Sequence, residues 1–551
     1  MTIRPIWFAT VLTFSLSLQA TPTAITQVNG YHITPMQGLE RFDTLVFNEG
    51  KVLATGDADL LLRYPQANVV NAKGKTLLPG LTDAHGHLLG LGENLLQVDL
   101  RGIGSARDSV AKVSQYFAQN AKLDWVIGRG WNQVLWPDKQ FPTAAMLDEF
   151  IPDTPVWLER IDGHAAWVNS KALALAGINK DTLDPPGGQI IRDNLGQPTG
   201  VLIDNAMSLV AERLPKANHN KMQSALTAAT AHLLSLGITS MHDAGIDKAT
   251  YNFYKAQAQH GKLAIRIYAM LSASDTELAT MLKQGRYHDA QDKLWVQSVK
   301  AYADGALGSR GAAMLAPYSD DKHNNGLLLT PEDRLPELFD LVLNAGFQLN
   351  VHAIGDRGNR LVLDNLASAY TRVGGRNLRN RIEHAQVVSL EDIPRFKTLN
   401  IIASMQPVHA TSDMNMAEDR IGKERLQGAY AWQTFLKQGT VLAAGSDFPV
   451  ELANPFHGLH AAVTRQDHQG RPPQGWHAEE ALSIEQALRA FTLDGAFAAH
   501  QEDILGNLQP GKWADFILID RDIFQAPATE LWQTKVLQTW VAGEMRYKSA
   551  P

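Results

Sequence analysis

The chain has no cysteine among its 551 residues. Disulfides, thiolate nucleophiles, iron–sulfur clusters and cysteine-based zinc fingers are therefore excluded, and any metal must be held by histidine, carboxylates or a modified lysine. Glycine (43) and proline (25) show no collagen-like excess, and a 45% hydrophobic fraction is that of a globular chain rather than a disordered one. Neither sign of charge dominates: 50 Lys plus Arg against 57 Asp plus Glu leaves a net −7, which gives no electrostatic reason to expect nucleic-acid binding. Long apolar runs are also missing. The most apolar stretch, residues 6–18 (IWFATVLTFSLSL), has 13 residues, where a membrane span needs about 20. It follows Arg4 and precedes the small residues Ala20 and Ala24, as the core of a signal peptide does. Residues 1–20 are thus expected to be a signal peptide on a periplasmic or secreted protein with no stable membrane anchor. The alternative is a buried amino-terminal strand or helix.

Eight segments have the β-branched, apolar look of buried parallel strands ending in polar clusters. They are 76–87, 237–245, 263–271, 295–305, 346–356, 381–386, 400–407 and 440–449. Amphipathic stretches such as 334–346 and 429–439 separate them, each stopping at a glycine. Eight βα units predict an α/β fold of the (β/α)8, TIM-like class over residues 77–502. The gap between the first two strands is too long for one helix, which predicts an insertion at approximately 115–215 that overhangs the barrel mouth. Trp131, Trp136, Trp157 and Trp167 fall there. Some of them are candidates to line a substrate pocket, although aromatic residues more often fill a core. Segments 21–76 and 503–551 both read as short strands and turns, and most simply pair into one composite β-sandwich.

The chemistry-bearing residues fall at strand ends. His85 and His87 form an H-x-H pair; residues i and i+2 of a strand face one side and can share a cation at about 2.0–2.1 Å. Lys300, His352, His384 and Asp447 end other strands. Five strands thus deliver six candidate metal ligands to one face, the face on which barrel active sites lie. Taken singly, each has an ordinary structural reading, such as a hydrogen-bonded core histidine or a helix-capping aspartate.

The order H-x-H, Lys, His, His, Asp resembles that of the amidohydrolase superfamily. The stretches LPGLTDAHGH, RIDGHAAWVNSKAL, VKAYADGALGSRGA, HAIGDRGN, IEHAQ, MQPVHAT, GSDFPVE and LQPGKWADFILID are similar to its amidohydrolase-3, or YtcJ-like, branch, which includes N-substituted formamide deformylase. The resemblance implies two divalent metals, most simply zinc. His85, His87 and Asp447 would hold one, His352 and His384 the other, and an N-carboxylated Lys300 would bridge them. It further implies attack of a metal-activated hydroxide on a carbonyl carbon, with Asp447 as the catalytic proton acceptor and donor. His164, Asp304 and Arg310 are candidate substrate-binding residues, although Asp304 and Arg310 suit a structural ion pair equally well. His242 and Asp243 are candidate supports for the ligands.

The expected activity is hydrolysis of a non-peptide C–N bond, of amide or formamide type, in a small molecule. The same ligands would serve a deaminase of an aminated heterocycle or a lactone or ester hydrolase, and a metal-binding regulatory protein without catalysis is the alternative of another class. Relatives of this kind are commonly dimers, so a homodimer is one expected arrangement, though no surface pattern specifies it.

Overall fold

The computed structural model describes residues 21–120, 123–133, 136–160, 165–185, 188–215, 218–308 and 310–550. The expected signal segment 1–20 and His164 lie outside the described residues. At the centre are β1 (Leu81–Gly86), β2 (Ile238–Ile246), β3 (Arg266–Ser272), β4 (Leu294–Tyr302), β5 (Gln348–Ala353), β6 (Arg381–His384), β7 (Ile402–Met405) and β8 (Leu442–Ala444). Each pairs in parallel with the next in chain order. The two ends meet just beyond β8, where Gly86 pairs with Phe448, His87 N donates to Phe448 O (2.8 Å) and Asp447 N donates to His85 O (2.7 Å). This is the expected TIM-like barrel, and every one of its strands falls within one residue of the segment read from the sequence. The strands are buried on both faces, which is why they read as apolar runs rather than as alternation.

The outer helices bury one stripe each. Leu335–Asn344 starts with a proline in its first turn and turns Leu335, Phe339, Val342 and Leu343 inward, the spacing of a helical face. It ends ahead of Gly346, whose φ of +74° suits glycine. Barrel closure depends on another glycine: a Cβ on Gly445 would stand 2.5 Å from His85 N, so only glycine lets the chain after β8 approach β1 this closely.

The insertion forms a six-stranded sheet running from Val98–Asp99 to Pro198–Asp204. Its first three strands are parallel and the rest antiparallel. Trp131, Trp136, Trp157 and Trp167 are all buried. The rings of Trp131, Trp136 and Trp167 lie 6.1–6.5 Å apart, and their indole N–H groups donate to backbone carbonyls. They are the core of this layer, and none borders the cavity at the barrel mouth. The expectation that some line a substrate pocket is corrected here: a small sheet needs large apolar side chains to make a core, and the tryptophans supply them.

The two ends of the chain share one eight-stranded sheet. Phe516–Ile519 pairs antiparallel with Thr76–Pro79, the strand that leads through Gly80 into β1. A register break between Thr26 and Gly30 lets Thr23–Thr34 pair with Asn68–Asn71 at one end and Thr76–Pro79 at the other, around Ile25, Leu45, Phe47, Leu77 and Phe516. Arg266, at the start of β3, makes a bidentate bond to Asp515 (2.7 and 3.0 Å), which fastens this sheet to the barrel.

Candidate metal centre

The strand ends bring His85, Lys300, His352, His384 and Asp447 together below a cavity of about 420 Å³, with His87 at its edge. One nitrogen or oxygen from each of His85, His384 and Asp447 lies within 4.8 Å of the others, the spacing of ligands around one cation. His87 Nε2 is 3.2 Å from Asp447 Oδ1, and Lys300 Nζ is 3.2 Å from His85 Nε2. The His352 ring is 4.5 Å from that of His384. This trio crosses the expected grouping, since His384 and Asp447 were assigned to different ions.

Hydrogen bonds fix the tautomers. His85 Nδ1 donates to Glu383 Oε2 (2.5 Å) and His384 Nδ1 to Gln406 Oε1 (2.7 Å), so each presents the lone pair of Nε2. His352 Nε2 is directed at the carbonyl of Gly305 (3.4 Å), which leaves Nδ1. His409 Nε2 is buried without a hydrogen-bond partner, and Asp447 Oδ1 has His87 Nε2 at 3.2 Å and His85 Nε2 at 3.7 Å beside it. Ring lone pairs gathered beside an ionised carboxylate suit a divalent cation.

Electrostatics agree. Burial and the nearby Lys300 push His85 below the ordinary imidazole range, burial and the same lysine push His352 down to about 3, and burial with His352 and His85 alongside holds His384 well below its ordinary value. All three are neutral near pH 7, the form that binds metal. Burial favours protonation of Asp447, but His87, His85, His384 and His409 around it hold it well below its ordinary value. Glu383 is likewise pushed up by burial and pulled down by His85 and Arg381, to about 2. Burial lowers the Lys300 ammonium, so the neutral amine is more accessible than in water.

The remaining candidates among the described residues, Asp304, Arg310, His242 and Asp243, do not border the cavity. Asp304 is fully buried and accepts the N–H groups of Ala313 (2.8 Å), Ile354 (2.9 Å) and Gly355 (2.8 Å). Arg310 pairs with Asp320 (2.8 Å), not with Asp304, and neither Asp304 nor Arg310 borders the cavity. His242 Nδ1 accepts from Arg381 (2.9 Å), while Asp243 accepts from Tyr254 Oη (2.7 Å) and from Leu88 N (3.2 Å), next to His87. Sequence reasoning missed Glu383, Gln406, Gln386 and His409, although all four lie in the motifs IEHAQ and MQPVHAT. It also missed Asp83, which ties β1 to the segment after β8 by accepting from Ser446 Oγ (2.7 Å).

The model of the amidohydrolase family matches residues 68–547. The protein LONG AFTER FAR-RED 3 of Arabidopsis thaliana is 34% identical over 94% of this chain and 91% of its own length. YtcJ of Bacillus subtilis is 31% identical over 95% of this chain and 99% of its own. Among solved structures, an uncharacterized metal-dependent hydrolase from Pyrococcus furiosus superposes with a TM-score of 0.75 at 29% identity, covering 91% of this chain and 99% of that one.

Proposed function

The chain belongs to the amidohydrolase family, and from that premise we propose that it hydrolyses a non-peptide C–N bond, of amide or formamide type, in a small molecule. The observation that carries this reading is the tautomer pattern: His85 and His384 each spend one ring nitrogen on a fixed protein oxygen and keep the other for a ligand, in one cluster with Asp447. His85, His87, His384 and Asp447 are suited to one divalent cation, and His352 with a carboxylated Lys300 to a second. Zinc fits the imidazole and carboxylate donors. When bound, the metal supplies Lewis acidity, bringing the pKa of a water from 15.7 to about 7 and polarising a carbonyl oxygen.

The chain's own residues supply the rest. Asp447, ionised and at the cavity floor, takes the proton of the attacking water and passes it to the leaving amine. Glu383 and Gln406 keep His85 and His384 in their ligating tautomers. Lys300 adds carbon dioxide through its neutral amine and releases one proton, which turns a cation that repels metal into a carbamate with two ligand oxygens. Leu307, Ile354 and Val450 give the cavity its apolar wall. Export is part of the same proposal and rests on the apolar run at residues 6–18.

The test is a mass-spectrometric screen of purified protein, supplied with zinc and bicarbonate, on pooled N-formyl and N-acyl amines, with a chelated control. Chelator-sensitive release of acid plus amine is expected. Asp447→Asn should keep its circular dichroism spectrum and lose at least ~10²-fold in turnover. A product in which oxygen replaces an amino group would assign deamination instead, and substantial turnover by Asp447→Asn would remove that residue from proton transfer.

A further inference from the structure

His409 sits on the helix Pro407–Asp413, directly after β7, and borders the cavity. It is 9% exposed, and its ring lies nearly parallel to that of His384 at 5.9 Å. Its Nδ1 is 3.2 Å from the amide nitrogen of Gln386. In this orientation of the Gln386 amide its NH2 donates to Nδ1 and its oxygen has no partner, which places the ring proton of His409 on Nε2. That Nε2 has no partner and lies 3.9 Å from Asp447 Oδ2, too far for a direct hydrogen bond. A buried N–H without an acceptor is costly, and it is retained here beside the ionised carboxylate expected to take a proton.

A tetrahedral intermediate of amide hydrolysis has two oxygens on one carbon: the former carbonyl oxygen, which takes up negative charge, and the former water oxygen, which gives up a proton. A donor and an acceptor 3.9 Å apart match that pair. We propose that His409 is a catalytic residue whose Nε2–H donates to the developing oxyanion while Asp447 receives the proton of the adjacent hydroxyl, and that Gln386 is the positioning residue that sets the tautomer. The inference rests on the hydrolase reading above. It goes further by giving the cavity a fixed oxyanion donor from β7, and it makes the carbonyl oxygen of the substrate a required recognition element. The step balances without a co-reactant: the water's O–C bond forms, its proton goes to Asp447, and the electron pair of the C=O bond moves to the oxygen held by His409.

The experiment compares the zinc-loaded wild-type protein with His409→Phe and Gln386→Glu. His409→Phe removes the donor and keeps a ring. Gln386→Glu offers only acceptor oxygens, which forces the His409 proton onto Nδ1. Zinc content is measured in each. Binding of methylphosphonate, a tetrahedral oxyanion, is measured by calorimetry, and kcat and KM on any amide the wild type cleaves. Expected are unchanged zinc, methylphosphonate binding at least ~10-fold weaker in both variants, and kcat lower by about 10²–10³-fold with KM little altered, the size of effect seen when an oxyanion donor is removed. Loss of zinc from His409→Phe would make the residue a ligand and overturn the proposal. Equal methylphosphonate affinity in all three proteins, or none in the wild type, overturns it as well. Failure of the hydrolase reading shows separately, as a wild type that binds zinc and methylphosphonate but cleaves no amide.

Discussion

Glu383 Oε2 lies 2.5 Å from His85 Nδ1, and both side chains are shut off from solvent. The carboxylate fixes the ring and raises the basicity of Nε2, so it acts on metal affinity without reaching the metal position. Glu383→Gln should weaken zinc binding by about 10–100-fold. Equilibrium dialysis against a competing chelator measures this, with circular dichroism to check the fold. Unchanged affinity would leave Glu383 only as the counter-charge to Arg381, 3.9 Å away.

The Arg266–Asp515 pair joins the start of β3 to the sheet built from the two chain ends. Removing one member leaves a buried charge, so Arg266→Met should cost about 3–5 kcal/mol in urea unfolding. The pair also sets an acid response. Burial pushes Asp515 up, but Arg266 outweighs it and holds the folded-state value below the ordinary 3.8. The stabilisation is therefore complete above about pH 4 and lost as pH falls through the folded value. In Arg266→Met the guanidinium is gone and burial dominates, so the loss should begin at higher pH. Urea midpoints between pH 3 and 7 test this; parallel curves for the two proteins would contradict it.

The barrel and its six strand-end residues were legible because a parallel strand buried on both faces is a continuous apolar run, and a polar residue ending such a run stands out. Glu383 was not. Strand alternation puts Glu383 and His384 on opposite faces, but His384 has φ +76°, which breaks the alternation and lets both serve the centre. His409 was hidden for a different reason: it sits in the first turn of a helix, where a histidine carries no periodic signal, and only the fold places its Nε2 beside Asp447. The tryptophans of the insertion misled in the opposite direction. Their number suggested a binding wall, whereas a small separate sheet needed them for its own core.

Asp304 supports the centre from behind, gathering three backbone N–H groups from two loops. Gly358 packs against it, and a Cβ there would stand 2.6 Å from Asp304 Oδ2. Gly358→Ala must displace that carboxylate and should cost about 1–3 kcal/mol. Because His352 lies beside Asp304, zinc occupancy at the His352 side should fall too. Urea unfolding and metal analysis check both, and a stable variant with full zinc would show that the loops relax around the methyl group.

Lys300 is buried at the cavity floor with its Nζ 3.2 Å from His85 Nε2. As an ammonium it places a positive charge where a cation is to bind; as a carbamate it contributes an anion. The burial that lowers its proton affinity makes the neutral amine available to carbon dioxide. Protein reconstituted with zinc in carbon-13 bicarbonate should therefore show a carbamate carbonyl resonance that is missing from Lys300→Ala. That variant should be inactive in plain buffer and partly restored by formate or acetate, which return two oxygens. Protein freed of bicarbonate should lose activity and regain it slowly on re-addition, faster at higher pH when the carbon dioxide concentration is held constant, as more of the amine is neutral. Full activity without bicarbonate and without a carbamate signal would assign Lys300 a purely electrostatic role and reduce the centre to the single cation position of His85, His384 and Asp447.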